Sequence, residues 1–106
     1  NIENDGILRE WYDKDNLYIE YNFENGKKHG IQKRWYNSGQ LDIMYYYNHG
    51  KLHGEQKRWH ENGQLMADLE YKNGELKSVL GLWGRMGILL ENVDPHEFLT
   101  QHKFTH

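Results

Sequence analysis

Residues 31–41 read IQKRWYNSGQL, and residues 55–65, which begin 24 positions later, read EQKRWHENGQL. The tryptophans of the chain keep the same spacing, at Trp11, Trp35, Trp59 and Trp83. Leucines, glycines and the Lys-Arg pairs also recur with this offset, which indicates an array of repeats rather than a domain with an irregular sequence. The predicted units lie near 5–28, 29–52, 53–76 and 77–93.

Within each unit, apolar and polar residues alternate with a period of two, which is typical of β-strands. The segment 37–40 and its equivalent 61–64 separate two such runs, and Gly39 and Gly63 supply the positive φ of a tight turn. Each unit is therefore predicted to be a β-hairpin. Strands are expected near 7–12, 17–23, 31–36, 41–47, 55–60, 65–71, 78–83 and 88–93.

The predicted fold is all-β: an elongated, single-layer antiparallel β-meander of stacked hairpins. One face is expected to gather a stripe of aromatic and leucine side chains, and we interpret it as the core because wide rings bury one face of a thin sheet best. A stacking platform for bases or sugars is the alternative use of such a stripe. Its members are Trp11, Leu17, Phe23, Trp35, Leu41, Tyr47, Trp59, Leu65, Tyr71, Trp83 and Leu89.

The C-terminal part breaks the pattern, because residues 79–90 are apolar on both strand faces. Asp94 and Pro95 read as the N-cap and first residue of a helix, which predicts a short capping helix near 95–102 within a tail of residues 94–106. Repeat arrays need such caps. Alternatively, the apolar end docks a partner or a second copy.

A second set of residues recurs at the same spacing: Gly26, Gly30, Trp35, Gly39 and Leu41 return 24 positions later as Gly50, Gly54, Trp59, Gly63 and Leu65. This pattern resembles the variant class of MORN repeats, and more closely bacterial proteins of the YwqK-like antitoxin family. The resemblance covers roughly residues 5–90, with Asp15 and Ser78 departing from the glycine pattern. It implies a binding module, since relatives are assigned as antitoxins or immunity proteins and other MORN arrays act as protein scaffolds or are proposed to touch lipid headgroups.

Enzyme chemistry finds little support in the sequence. Cysteine is absent, which excludes disulfides, thiolate zinc sites and cysteine nucleophiles, and neither Ser38 nor Ser78 sits in a Gly-x-Ser-x-Gly context. His29 and His53 are expected to lie about 9–10 Å apart, too far to share one zinc ion. We therefore expect no catalytic site, no cofactor and no metal site.

The second face of the sheet is predicted to bind a protein partner, because Tyr, Met and Arg are enriched in protein interfaces. An alternative is that these side chains only shield a thin sheet. The predicted partner-binding residues are Tyr12, Tyr18, Arg34, Tyr36, Met44, Tyr46, Arg58 and His60.

Charge is uneven along the chain: the net charge is −5 over residues 1–24, +5 over 25–60 and −3 over 61–106. The basic middle either steers an acidic partner or is a solvated face. A nucleic-acid partner is not expected, because the whole chain has a net charge of −3 and a pI near 6.2.

The favoured function is that of an antitoxin or immunity protein that occludes a cognate toxin. The alternative is a scaffold or structural subunit that self-associates or contacts membrane lipid. With no apolar run of the roughly 20 residues that a membrane span needs, a soluble chain is expected. The lack of cysteine and of a visible signal sequence favours the cytoplasm, although a start at Asn1 leaves a processed leader or a trimmed precursor open.

Overall fold

The computed structural model describes residues 5–90 and Glu97, and a single antiparallel β-sheet makes up residues 5–90. The long strands are hydrogen-bonded in the order β1-β2-β4-β5-β7-β8-β9, while β3 pairs with β2 and β6 with β5. The predicted all-β meander of hairpins is confirmed. The strands are β1 Gly6–Asp13, β2 Asn16–Glu24, β3 Lys27–Lys28, β4 Gly30–Trp35, β5 Leu41–Asn48, β6 Lys51–Leu52, β7 Gly54–Trp59, β8 Leu65–Lys72 and β9 Glu75–Leu82.

The C-terminal part differs from the prediction. Strand β9 runs over Glu75–Leu82, and of the strand predicted near 88–93 the described residues form only an isolated bridge between Trp83 and Leu89. The predicted capping helix near 95–102 lies outside the described residues except for Glu97, which is helical and exposed. Within the described residues, no helix is long and apolar enough to cross a membrane.

Two-residue turns connect the units, and their residues explain the repeated Asn-Gly and His-Gly pairs. Asn25 and Gly26 have φ angles of 52° and 76°, and the equivalent pairs His49-Gly50 and Asn73-Gly74 are also positive at both positions. Positive φ at both central residues defines the type I′ turn, which matches the twist of antiparallel strands. The chain therefore reverses within two residues, which is tighter than the segments 25–30 and 48–54 that the sequence predicts.

Two buried glutamines complete the sheet where one unit meets the next. Gln56 is 1% exposed; its Oε1 accepts the backbone N–H of Tyr46 at 2.9 Å and its Nε2 donates to the Tyr46 carbonyl at 3.1 Å. Gln32 bonds the backbone of Asn22 in the same way. Because only two residue pairs join β5 to β7, the amide takes the place of a missing strand partner.

A β-bulge in each hairpin sets which side chains share a face. Arg34 lies opposite Ile43 whereas Trp35 lies opposite Leu41, so Asp42 is an extra residue in β5. The same register shift recurs between Arg58 and Trp59. Since the bulge interrupts the alternation, Ile43 shares a face with Arg34, and Trp35 lies on the opposite face.

The bulge makes the predicted aromatic core wrong in part. Ile19, Ile43 and Ala67, which are also 24 residues apart, are buried, while Trp11 is 53% exposed. Trp35, Trp59 and Trp83 are half-buried. The main hydrophobic cluster lies towards the C-terminal end of the sheet and consists of Met66, Ala67, Leu69 and Leu82, packed against Tyr71, Leu76 and Leu90.

Candidate binding face

The face of the sheet that carries Ile19, Ile43 and Ala67 is here called the inner face, and the opposite face the outer face. The cross-strand pairs of the central units place further side chains on the inner face, because residues directly opposite one another point to the same side of a sheet. Leu8 pairs with Tyr21, Gln32 with Tyr45, and Gly30 with Tyr47. The central units thus carry a row of tyrosines on the inner face.

A small recess lies among these tyrosines at the centre of the inner face. It holds about 70 Å³, which suits one side chain of a partner rather than a drug-sized molecule. The residues around it are Tyr21, Lys28, Gln32, Lys33, Arg34, Ile43, Tyr45 and Tyr47. Two neighbouring repeat units contribute to it, so its shape depends on how they are joined.

Lys28 places a positive charge at the edge of this recess. Its Nζ atom lies 4.3 Å from the centre of the Tyr21 ring and 5.4 Å from that of Tyr47, both within cation–π range. Burial lowers the pKa of Lys28 and raises the pKa of Tyr21 and of Tyr47, because each loses hydration of its charged form. The recess therefore presents aromatic rings and one partly desolvated cation.

Two predicted partner-binding residues, Arg34 and Arg58, bind a buried carboxylate in the same face. Arg34 donates to Asp42 at 2.9–3.0 Å, and the Nη2 atom of Arg58 lies 3.7 Å from the other oxygen of Asp42. Arg58 is 1% exposed and also donates to the hydroxyl of Tyr45 at 3.2 Å, and burial lowers its pKa to about 10. Direct contact of Arg58 with a partner, as the sequence suggests, is therefore incompatible with this structure.

Three more predicted residues, Tyr12, Tyr36 and His60, connect successive units. The Tyr12 hydroxyl donates to the Trp35 carbonyl at 2.7 Å, and the Tyr36 hydroxyl to the Trp59 carbonyl at 2.6 Å. The Nε2 atom of His60 makes the equivalent bond to the Trp83 carbonyl at 2.8 Å. Burial, followed by the nearby Asp42 carboxylate, raises the pKa of Tyr36 to about 12. Because these three bonds each join one unit to the next, Tyr12, Tyr36 and His60 hold the array together, and His60 is also buried.

The remaining predicted residues do not join one surface. Tyr18 packs against Tyr12, with ring centres 4.8 Å apart and ring planes inclined by 55°. Met44 pairs with Lys33 and Lys57, and Tyr46 pairs with Ile31, which places both side chains on the outer face. The expectation that all eight residues share one exposed face is therefore wrong, because the bulge and the inter-unit bonds were not visible in the alternation.

Sequence reasoning missed Tyr21, Tyr45 and Lys28 as candidate binding residues. Tyr21 and Tyr45 are 24 residues apart, which is a signal visible in the sequence. Their shared face becomes clear only with their cross-strand partners, Leu8 and Gln32. It also missed a group of metal-ligand type, Glu24, His29 and His49, whose donor atoms all lie within 4.8 Å of one another. The signal there is that His29 and His49 stand 20 residues apart, at the two ends of one unit, while Glu24 belongs to the unit before.

Comparison with known proteins identifies the repeat type of the central units. The family model of the MORN repeat variant matches residues 28–49 and 52–73, two adjacent repeats that contain most of the recess. No curated protein and no solved structure matches the chain.

The fold and these two matches define the class of module. Arrays of MORN repeats generally serve as non-enzymatic binding or scaffold modules, and they often mediate contacts with proteins or membrane lipids. Two adjacent units of this β-hairpin array have the MORN repeat variant pattern, and Tyr45 and Tyr47 of the inner face lie in the first of them.

Proposed function

We propose that this chain is a protein-binding module that holds its partner on the inner face of the central units. The observation that carries the proposal is the recess, in which Tyr21 and Tyr47 flank Lys28. Tyrosine supplies wide, amphipathic contact area with little loss of conformational entropy, and it is enriched at the energetic centres of interfaces. The recess is too small for most free ligands but fits a protruding side chain.

The charges around the recess favour an acidic partner. Lys28 and Arg34 both line it, while the buried Asp42 already lies between Arg34 and Arg58. A carboxylate side chain from the partner would meet Lys28, whose partial burial strengthens a charge interaction relative to bulk water. The positive net charge of residues 25–60 would speed the encounter.

We further propose that the partner is a cognate toxin, which the chain neutralises by covering its surface. The resemblance to YwqK-like antitoxins supports this, as does a flat sheet that can cover a surface without chemistry of its own. A stoichiometric inhibitor needs an extended rigid face, and the buried glutamines and inter-unit bonds supply that rigidity.

A matched pair of lysine variants tests the proposed face. Lys28 lies opposite Phe23 and Lys27 opposite Glu24, so these neighbours point to opposite faces of β3. Lys28→Glu should weaken capture of the partner from the native host by about tenfold or more, as expected for a residue at the energetic centre of an interface. Lys27→Glu, with the same change in net charge, should leave capture nearly unchanged. Equal capture by both variants would contradict the proposal.

Charge reversal of Arg34 and Arg58 is a poor test of binding, although the sequence alone recommends it. Both residues contact the buried Asp42, so the double variant would place three carboxylates together and destabilise the sheet. Loss of capture in that variant would report unfolding. The lysine pair avoids this problem because both side chains reach solvent.

A second function, assembly through the C-terminal end, is favoured by one observation. Leu80, Met86, Ile88 and Leu89 are between 53% and 84% exposed, and they lie close together in the chain. Such a surface suits a scaffold that self-associates or contacts membrane lipid. Light scattering across a concentration series separates the two functions, since the inhibitor should stay monomeric and the scaffold should not. Pelleting with anionic and neutral vesicles tests the lipid alternative.

A further inference from the structure

Three side chains with metal-ligating atoms meet at the turn edge of the sheet. The Oε1 atom of Glu24 lies 3.1 Å from Nε2 of His49 and 3.7 Å from Nε2 of His29. The two imidazole rings are 4.3 Å apart, and solvent reaches all three side chains. The residues come from two consecutive units, so the repeat architecture brings them together.

The repeat itself shows which member of this group the fold requires. Asp5, His29 and His53 occupy equivalent positions, and each accepts the first backbone N–H of the next type I′ turn, from Asn25, His49 and Asn73 respectively. An acceptor at this position is therefore part of the architecture.

The other two members are not required by the fold. The positions equivalent to Glu24 and His49 one unit later hold Asn48 and Asn73. The first turn residue, which is His49 in this turn, has φ close to 50° in all three turns, and the other two turns have asparagine at this position, Asn25 and Asn73. The carboxylate and the second imidazole thus depart from the repeat at the one place where they meet His29.

Each ring nitrogen of His49 faces an oxygen atom. Its Nδ1 atom lies 2.8 Å from the amide oxygen of Asn48, and its Nε2 atom lies 3.1 Å from the carboxylate of Glu24. A neutral imidazole carries one N–H, so it can donate to only one of these oxygens. In the tautomer that donates from Nδ1 to Asn48, the lone pair of Nε2 points at Glu24 and is available to a metal ion.

We propose that Glu24, His29 and His49 bind a divalent transition-metal ion such as Zn²⁺, Ni²⁺ or Co²⁺. Two imidazoles and one carboxylate form a donor set that these ions prefer, and three protein ligands leave a coordination position open to water or a partner side chain. His29 uses Nδ1 as an acceptor for the His49 N–H, so coordination at its Nε2 requires the ring proton to move to Nδ1 and the ring to turn away from that N–H, and metal binding must outweigh the loss of this hydrogen bond. None of the three ligands is among the residues that line the proposed protein-binding recess.

Titration calorimetry of the full chain with zinc, nickel and cobalt salts tests the site directly. One ion per chain should bind with a micromolar dissociation constant at neutral pH, and binding should weaken in acid because both imidazoles must lose a proton. Cobalt should produce a visible absorption band, and imidazole nitrogen signals of His29 and His49 should shift in the NMR spectrum. Heat without saturation, or no heat, would overturn the proposal.

Two histidine variants locate the ion. His49→Asn introduces the residue that the other two turns already use, so it should keep the fold by circular dichroism while weakening metal binding by about tenfold or more. His53→Asn removes a histidine from the position that is equivalent to His29 in the next unit, and this variant should leave metal binding unchanged. Metal affinity equal to wild type in His49→Asn would refute the site.

Discussion

Replacing Gln56 with leucine tests whether a side-chain amide joins the repeat units. In the wild type this amide bonds the N–H and the carbonyl of Tyr46, at 2.9 and 3.1 Å, and lies within 3.2 Å of the carbonyls of His53 and Gly54. Leucine fills a similar volume but leaves the buried N–H of Tyr46 without a partner, whereas the Tyr46 carbonyl still accepts the backbone N–H of His53 at 2.9 Å.

The expected loss of stability follows mainly from the orphaned Tyr46 N–H. A buried backbone group that loses its hydrogen bond costs about 1–3 kcal/mol, and the apolar side chain recovers part of this. We therefore expect Gln56→Leu to lower the free energy of unfolding by about 2 kcal/mol, a sizeable fraction of the roughly 5–15 kcal/mol that holds a typical domain. Gln32→Leu should have a similar effect through Asn22.

Urea denaturation followed by tryptophan fluorescence measures this loss, and hydrogen exchange locates it. The Tyr46 amide should exchange slowly in the wild type and much faster in Gln56→Leu, since its acceptor is the glutamine oxygen. Gln64→Leu is the matched control because this glutamine is exposed, and it should change stability by less than about 0.5 kcal/mol. Equal midpoints for both variants, or an unchanged Tyr46 exchange rate, would refute the reasoning.

Three further predictions concern buried polar groups. Arg58→Met should destabilise the fold by about 2–4 kcal/mol in urea denaturation, because it removes one of the two arginines beside Asp42. Asp68→Asn should stabilise it by up to about 1 kcal/mol at neutral pH, because the Oδ1 atom of Asp68 is buried without a hydrogen-bond partner among the described residues. Burial, and then Glu55, raises the pKa of Asp68 above 3.8, so this gain should vanish on acidification to below that value. Tyr36→Phe should cost about 1 kcal/mol through its lost bond to Trp59. It should also reduce the loss of stability between pH 10 and about 12, since the raised pKa means that the folded state favours the neutral phenol.

Exposed counterparts serve as controls for these variants. Arg9→Met removes an exposed ion pair and should cost less than about 1 kcal/mol. Glu70→Gln neutralises an exposed carboxylate in the same strand as Asp68 and should change stability at neutral pH by less than about 0.5 kcal/mol. Tyr46→Phe removes an exposed hydroxyl and should also change stability by less than about 0.5 kcal/mol. If the control variants changed the free energy of unfolding as much as the buried variants do, burial would not be the cause of these effects.

The sequence predicts the repeat and the hairpins well because both depend on local patterns. The 24-residue spacing of Trp35 and Trp59, and the glycines of the turns, are visible without any knowledge of tertiary contacts. Turn glycines with φ angles near 90°, such as Gly39 and Gly63, confirm the reason for their recurrence. Period, strand type and turn position thus follow from single residues and their spacing.

The assignment of faces could not be predicted, because one bulge reverses it. Asp42 is an extra residue in β5, so Leu41 lies opposite Trp35 while Ile43 lies opposite Arg34. Whether a bulge forms depends on packing and on the buried contact of Asp42 with two arginines from neighbouring strands. Neither is visible in the alternation of polar and apolar residues.

The candidate sites were hidden for a related reason. The recess needs Lys28 and Tyr47, which are 19 positions apart, and the proposed metal site needs His29 and His49, which are 20 apart. Both pairs lie next to the type I′ turns at 25–26 and 49–50, which the sequence suggests only as longer loops. Contacts of this kind depend on how tightly each turn closes, which is set by the backbone.

The most direct test of the central claim is an NMR measurement on the chain bound to its captured partner. If the inner face binds, saturation of the partner's protons should transfer to the ring protons of Tyr21 and Tyr47 and leave those of Tyr46 on the outer face unaffected. Transfer to Tyr46 without transfer to Tyr21 or Tyr47 would contradict the account and place the partner on the outer face.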